Sequence, residues 1–112
     1  KSFSFEAAQR LPMVPHTHKC SVMHGHTWTA EVSITGTDDP DTGWVLDFGD
    51  ISAAWKSRCH PKLDHQTLND FIENPTSEQV AKRIWGELKP RLPGLSRIVL
   101  SETCTSGCDY EG

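Results

Sequence analysis

The sequence predicts an α+β domain, an antiparallel sheet covered on one face by a pair of helices. Two observations predict it. Segments of apolar–polar alternation lie near both ends of the chain, and two apolar stripes at helical spacing lie between them. Strands grouped apart from helices in this way favour antiparallel pairing over a wound parallel sheet. Residues 1–112 read as one domain, because a chain of that length closes around a single core and buries roughly two-thirds of its unfolded surface.

Ser2 to Ala8 places Phe3, Phe5 and Ala7 on one face, which reads as a first strand. Leu11 to Lys19 carries Pro12, Pro15, His16 and His18, and reads as a loop. From His24 the alternation resumes. His24, His26, Trp28, Ala30, Val32 and Ile34 share one face of a long half-buried strand, with Gly25, Thr27, Thr29 and Glu31 on the other. Gly36 to Gly43, containing Asp38-Asp39-Pro40, has the chemistry of a turn. Phe48, Ile51 and Trp55 recur at helical spacing, with Asp47 placed to cap them. Pro75-Thr76-Ser77-Glu78-Gln79 resembles a capping box ahead of the stripe Val80, Ile84, Trp85 and Leu88, and Pro90 stops that second helix. Arg97 to Cys104 alternates again as a strand, and Cys108 to Glu111 begins a last one.

Composition excludes some roles. Eleven basic against fifteen acidic side chains give a formal charge of −4, the wrong sign for a protein whose main task is gripping phosphate backbones, so no nucleic-acid partner is expected. No apolar run approaches the ~20 residues that cross a bilayer, and no signal-like start is seen, so the expected setting is the cytoplasm, away from membranes. Cys20, Cys59, Cys104 and Cys108 then read as reduced thiols. The other reading is two disulfides in a secreted domain. Cys104 and Cys108 have a spacing found in some metal sites, without a second pair to complete one.

Three clusters carry possible chemistry. His24 and His26 are two apart in a strand, so both imidazoles point one way and can reach one metal. Alone they read equally as polar residues at a strand end. Gln9, on the first strand, is placed to add a third donor, although its neutral amide oxygen binds zinc more weakly than imidazole does. Cys20, four residues before His24, is either an inert small side chain or, beside histidines or a metal, an activated thiol. Leu63-Asp64-His65 holds a carboxylate that could orient an imidazole, though sequence neighbours seldom bond side chain to side chain. Glu102 shares a face with Ile98 and Leu100. A carboxylate on an apolar face calls for a partner such as a guanidine-like edge.

Taken together, Phe5-Glu6-Ala7-Ala8-Gln9-Arg10-Leu11, Lys19-Cys20 with His24-Gly25-His26, Gly43-Trp44-Val45-Leu46-Asp47-Phe48, Leu63-Asp64-His65 with Leu68-Asn69, Asn74-Pro75-Thr76-Ser77-Glu78 and Glu102-Thr103-Cys104 resemble the 6-pyruvoyltetrahydropterin synthase family. Within it the chain is most like the bacterial 6-carboxytetrahydropterin synthases of queuosine and 7-deazapurine biosynthesis. Glu102-Thr103-Cys104-Thr105-Ser106-Gly107-Cys108 is especially similar to that branch. The resemblance covers nearly the whole chain.

It implies a tunnelling fold, a four-stranded antiparallel sheet with two helices on one face, whose subunits assemble into a barrel as a homo-trimer or homo-hexamer. It implies the conversion of 7,8-dihydroneopterin triphosphate to 6-carboxytetrahydropterin with loss of acetaldehyde and triphosphate, on a zinc ion held by three histidines. His24 and His26 match two of those ligands. Cys20 matches the thiol that moves protons, Asp64 and His65 match its partners in the relay, and Glu102 matches the anchor of the pterin edge. Thr76 and Ser77 fall where the ring is bound. One position departs from the pattern: Gln9 stands where the family has its third zinc histidine. Three outcomes follow: Gln9 ligates weakly, His16 or His18 substitutes from the loop, or the metal is lost. The last leaves a pterin-binding protein with impaired catalysis. A sister activity, making 6-pyruvoyltetrahydropterin or epimerising the same substrate, is the remaining alternative.

Overall fold

The two amino-terminal alternating segments form the centre of the sheet. In the computed structural model, which describes residues 1–103 and 105–112, β1 (Ser2–Gln9) pairs antiparallel with β2 (His24–Ile34) in a register that sets Phe5 opposite Trp28 and Gln9 opposite His24. Two helices follow, α1 (Phe48–Arg58) and the single turn α2 (His60–Leu63). After them come a two-residue strand, β3 (Gln66–Thr67), and the helix α3 (Ser77–Leu88). The chain closes with the hairpin of β4 (Leu95–Ser101) and β5 (Gly107–Tyr110).

Both expected caps are present. Asp47 accepts the Gly49 N–H at 2.8 Å, and the Thr76 hydroxyl accepts the Gln79 N–H at 3.3 Å. The apolar face of the sheet, with Phe5, Ala7, Trp28, Ala30, Val32, Ile98 and Leu100, joins one core with Ile51 and Trp55 of α1 and Val80, Ile84 and Leu88 of α3. Phe3 stacks on Trp55 with ring centroids 4.7 Å apart. Trp28 stacks on Phe5 at 5.8 Å, and its indole N–H donates to the Ala7 carbonyl. Burying the aromatic bodies while giving the indole nitrogen a partner is what makes a tryptophan tolerable at the centre of a sheet.

Three expectations are corrected. The sheet has five strands in the order β3-β1-β2-β4-β5 rather than four, and it is mixed, because β3 pairs parallel to Ala7 and Ala8 of β1. A two-residue strand carries no periodicity. What makes it is the docking of the preceding loop on β1, where the His65 N–H donates to the Glu6 carbonyl at 2.6 Å. The strand expected over 97–104 ends at Ser101, because the Glu102 and Thr103 N–H groups turn back to the Ser106 carbonyl. Cys104 lies outside the described residues. Cys20, Cys59 and Cys108 are all free thiols, which removes the disulfide reading for these three. No described helix is long and apolar enough to cross a membrane.

Candidate active site

The end of the β1–β2 ladder gathers donor atoms. Gln9, the last residue of β1, is only 1% exposed, and its amide oxygen has no hydrogen-bond partner among the described residues. Across the ladder stands His24. Its Nδ1 lies 2.7 Å from the Val22 carbonyl, and since a carbonyl can only accept, Nδ1 carries the proton and the Nε2 lone pair is left available. His26 lies edge-on to His24 with ring centroids 4.9 Å apart, and edge-on to Trp28 on its other side. Its Nε2 is buried without a hydrogen-bond partner among the described residues.

Buried polar atoms left unpaired call for a ligand, ion or water. Among the described residues no group of three His, Cys, Asp or Glu side chains is placed to hold a metal; the Gln9 oxygen, opposite His24 in the ladder, is the candidate third donor. Two imidazoles and one amide oxygen fit a divalent metal, held more loosely than three imidazoles would hold it.

Glu102 extends the inward face of β4 past the strand end, as its alternation with Ile98 and Leu100 required. Ser77, the first residue of α3, donates its hydroxyl to Oε1, while Oε2 lies 3.6 Å from His26 Nε2. The carboxylate therefore bridges the helix start and the histidine pair. Sequence reasoning placed Ser77 and Glu102 on one ligand without foreseeing that they touch. Nothing local announces a contact between residues 25 apart. Thr76, by contrast, uses its hydroxyl as the helix cap.

Asp64 and His65 do bond side chain to side chain, against the expectation for neighbours. His65 adopts φ +57°, a left-handed conformation uncommon outside glycine and found where surrounding structure enforces it. Asp64 Oδ1 accepts the Glu6 N–H at 2.9 Å, and Oδ2 pairs with His65 Nδ1 at 2.8 Å. The Glu6 N–H first, and the His65 ring second, hold the Asp64 carboxyl below its ordinary range. Kept as a carboxylate, Asp64 fixes the proton of His65 on Nδ1 and leaves the lone pair on Nε2. His60 Nε2, one helical turn back, lies 3.5 Å from the same Oδ2.

An open cleft of about 440 Å³ runs between Glu6, His26, Thr27 and His65. A second, of about 680 Å³, runs between His26, Thr27, Ser101 and Glu102. The two share residues 25–27 of β2, so His26 borders both. Glu6 and Thr27 were not singled out in the sequence, yet the Thr27 hydroxyl lies 2.9 and 3.0 Å from the two Glu6 carboxylate oxygens at the floor of the first cleft.

Cys20 lies in a 3-10 turn over Lys19–Ser21. Its carbonyl accepts the Leu11 N–H at 2.7 Å, which ties the turn to the end of β1. No hydrogen bond among the described residues joins it to Asp64 or His65. His18 Nδ1 accepts the Cys20 N–H at 3.0 Å, so that ring nitrogen is engaged in the turn.

Fold and site together define a small α+β protein in which Glu102, His26 and His65 border two clefts that share residues 25–27. The sequence profile of the 6-pyruvoyl tetrahydropterin synthase family matches residues 1–112, and the chain belongs to that family. It is 39% identical to the 6-carboxy-5,6,7,8-tetrahydropterin synthase of Synechocystis sp., over 98% of this chain and 89% of that protein. It is 32% identical to the dihydroneopterin monophosphate aldolase of Pyrococcus furiosus, over 96% and 91%. The solved structure of the Caenorhabditis elegans 6-pyruvoyl tetrahydropterin synthase superposes with a TM-score of 0.90 at 26% identity, covering all of this chain and 92% of that one.

Proposed function

We propose that this protein converts 7,8-dihydroneopterin triphosphate to 6-carboxytetrahydropterin, releasing acetaldehyde and triphosphate, as a cytoplasmic homo-trimer or homo-hexamer serving 7-deazapurine (queuosine) synthesis. The observation that carries the reading is Glu102, a carboxylate held by Ser77 at the mouth of a cleft and 3.6 Å from His26.

A carboxylate so placed accepts two adjacent N–H donors, the pattern that the amino-pyrimidine edge of a pterin offers. Ser77 keeps it oriented, and the substrate's side chain then extends along β2 past His26 toward His65. A divalent metal bound by His24, His26 and Gln9 would lower the pKa of the side-chain hydroxyls and of the C–H bonds beside them. Asp64 holds His65 in the tautomer that can take or return a proton at Nε2, and Cys20 supplies a second proton-transfer group through its sulfur.

The test is turnover of dihydroneopterin triphosphate by the purified protein, with products identified by mass spectrometry. Acetaldehyde and 6-carboxytetrahydropterin are expected, with turnover lost in Cys20→Ala and pterin binding lost in Glu102→Ala. A 6-pyruvoyl product, an epimerised substrate, or an aldolase cleavage like that of the Pyrococcus relative would replace this reading with a sister one. Gln9 favours one second reading, a pterin-binding protein whose weakened metal site impairs catalysis. In that case pterin binds, turnover is absent, and Gln9→His restores both metal and activity.

A further inference from the structure

We propose that His18 is a positioning residue for Cys20, holding the thiol's turn through its own ring nitrogen. The proposal rests on the reading of Cys20 as a proton-transfer group.

None of the residues in the Lys19–Ser21 turn is buried, so packing against the core does not fix where the thiol points. Hydrogen bonds do. His18 makes two of them: its Nδ1 accepts the Cys20 N–H, and its carbonyl accepts the Ser21 N–H, each at 3.0 Å. Its own N–H donates to the Pro15 carbonyl at 2.8 Å, which anchors it to the loop. His18 has the extended backbone of an N-cap, φ −74° and ψ 135°. The ring takes the place that the oxygen of Ser, Asp or Asn usually fills. The remaining ties, Leu11 N–H to the Cys20 carbonyl, Val22 N–H to the Lys19 carbonyl and Ser21 Oγ to the His16 carbonyl, do not involve His18. No other side chain among the described residues bonds to the backbone of Cys20.

The bond dictates the tautomer. A backbone N–H can only donate, so Nδ1 of His18 bears the lone pair and Nε2 bears the proton. His24, on the other side of Cys20, is the reverse, with its proton on Nδ1 facing the Val22 carbonyl. The two imidazoles therefore have different tasks. His24 leaves Nε2 free to ligate, whereas His18 spends its lone pair on the turn and is not the spare ligand that could replace the missing histidine.

The experiment compares the unmodified protein with His18→Ala and His18→Asn, Asn being a strong N-cap that restores an acceptor. Two assays are run: the iodoacetamide alkylation rate of Cys20, read on its own peptide by mass spectrometry, and steady-state turnover of the pterin substrate for kcat and KM. In His18→Ala, alkylation should quicken about fivefold, the change in population that losing one N-cap brings. In the same variant kcat should fall with KM little changed, and His18→Asn should return both quantities to the starting values. A His18→Ala protein that matches the unmodified one, or a His18→Asn protein as altered as His18→Ala, overturns the proposal. If the unmodified protein does not turn over the substrate, it is the functional reading that fails, and the alkylation rates still decide the role of His18.

Discussion

Gln9 and His24 face each other across the β1–β2 ladder, and the amide oxygen of Gln9 is buried there with no hydrogen-bond partner among the described residues. An unpaired buried amide oxygen costs free energy, on the order of 1–3 kcal/mol. Its tolerance at this position fits a site in which a cation completes its bonding.

Exchanging this one donor should therefore change metal affinity. Losing even an outer-shell partner shifts metal affinity about 10- to 100-fold, and a ligand exchange should do no less. Gln9→His is expected to bind zinc at least about tenfold tighter, measured by competition with a chromogenic chelator. Equal affinities for the two proteins would remove residue 9 from the ligand set.

The Asp64–His65 dyad should leave a mark on stability at acid pH. The folded pKa of Asp64 lies below its ordinary 3.8, so the carboxylate form is favoured by folding. Its contribution is complete above that ordinary value and is lost as pH falls through the lower, folded one. Urea midpoints of the unmodified protein and Asp64→Asn should differ at pH 7 and converge as the carboxyl protonates. A gap independent of pH would show that the carboxylate charge plays no part.

Glu87 of α3 joins three cations. Its carboxylate lies 2.9 Å from Lys62 Nζ and 3.5 Å from both Arg58 and Arg83. The Lys62 hydrogen bond, followed by the charges of Lys62, Arg58 and Arg83, holds its carboxyl below the usual range. Glu87→Gln should cost about 1 kcal/mol in low salt, the scale of a partly exposed ion-pair network. In 1 M salt the difference should shrink, because the Debye length there is only about 3 Å. Denaturant titration at both ionic strengths reads it.

Beneath that network lies Cys59. Burial, and then the nearby Glu87 charge, push its thiol up to about 12. The folded protein should leave Cys59 unmodified by iodoacetamide at pH 7.5 while Cys20 reacts, and peptide mass spectrometry separates the two. Equal labelling would mean that the helix pair opens readily.

Trp28 is fully buried between Phe5 and His26. Trp28→Ala should destabilise the fold by about 3–5 kcal/mol, the cost of a large core truncation. Because His26 loses its aromatic neighbour, weaker metal binding should accompany the lower urea midpoint. An unfolding free energy within about 1 kcal/mol of that of the unmodified protein would contradict this packing.

The sequence alone determined the strands, the two long helices and their caps, and the inward direction of Glu102 and of the His24–His26 pair. Each of these follows from periods of two or 3.6 residues, or from a side chain bonding a backbone group two or three positions away. Only the tertiary structure decided the fifth strand, the left-handed His65, the Ser77–Glu102 bond and the burial of Gln9. The Glu6 N–H that fixes Asp64 is 58 positions distant, and Ser77 is 25 from Glu102. His18 is the instructive middle case. Its bond to Cys20 spans two residues, but histidine is not a residue from which an N-cap is read. Local periodicity states which face a side chain takes; which group it meets there depends on chain segments brought together only when the core closes.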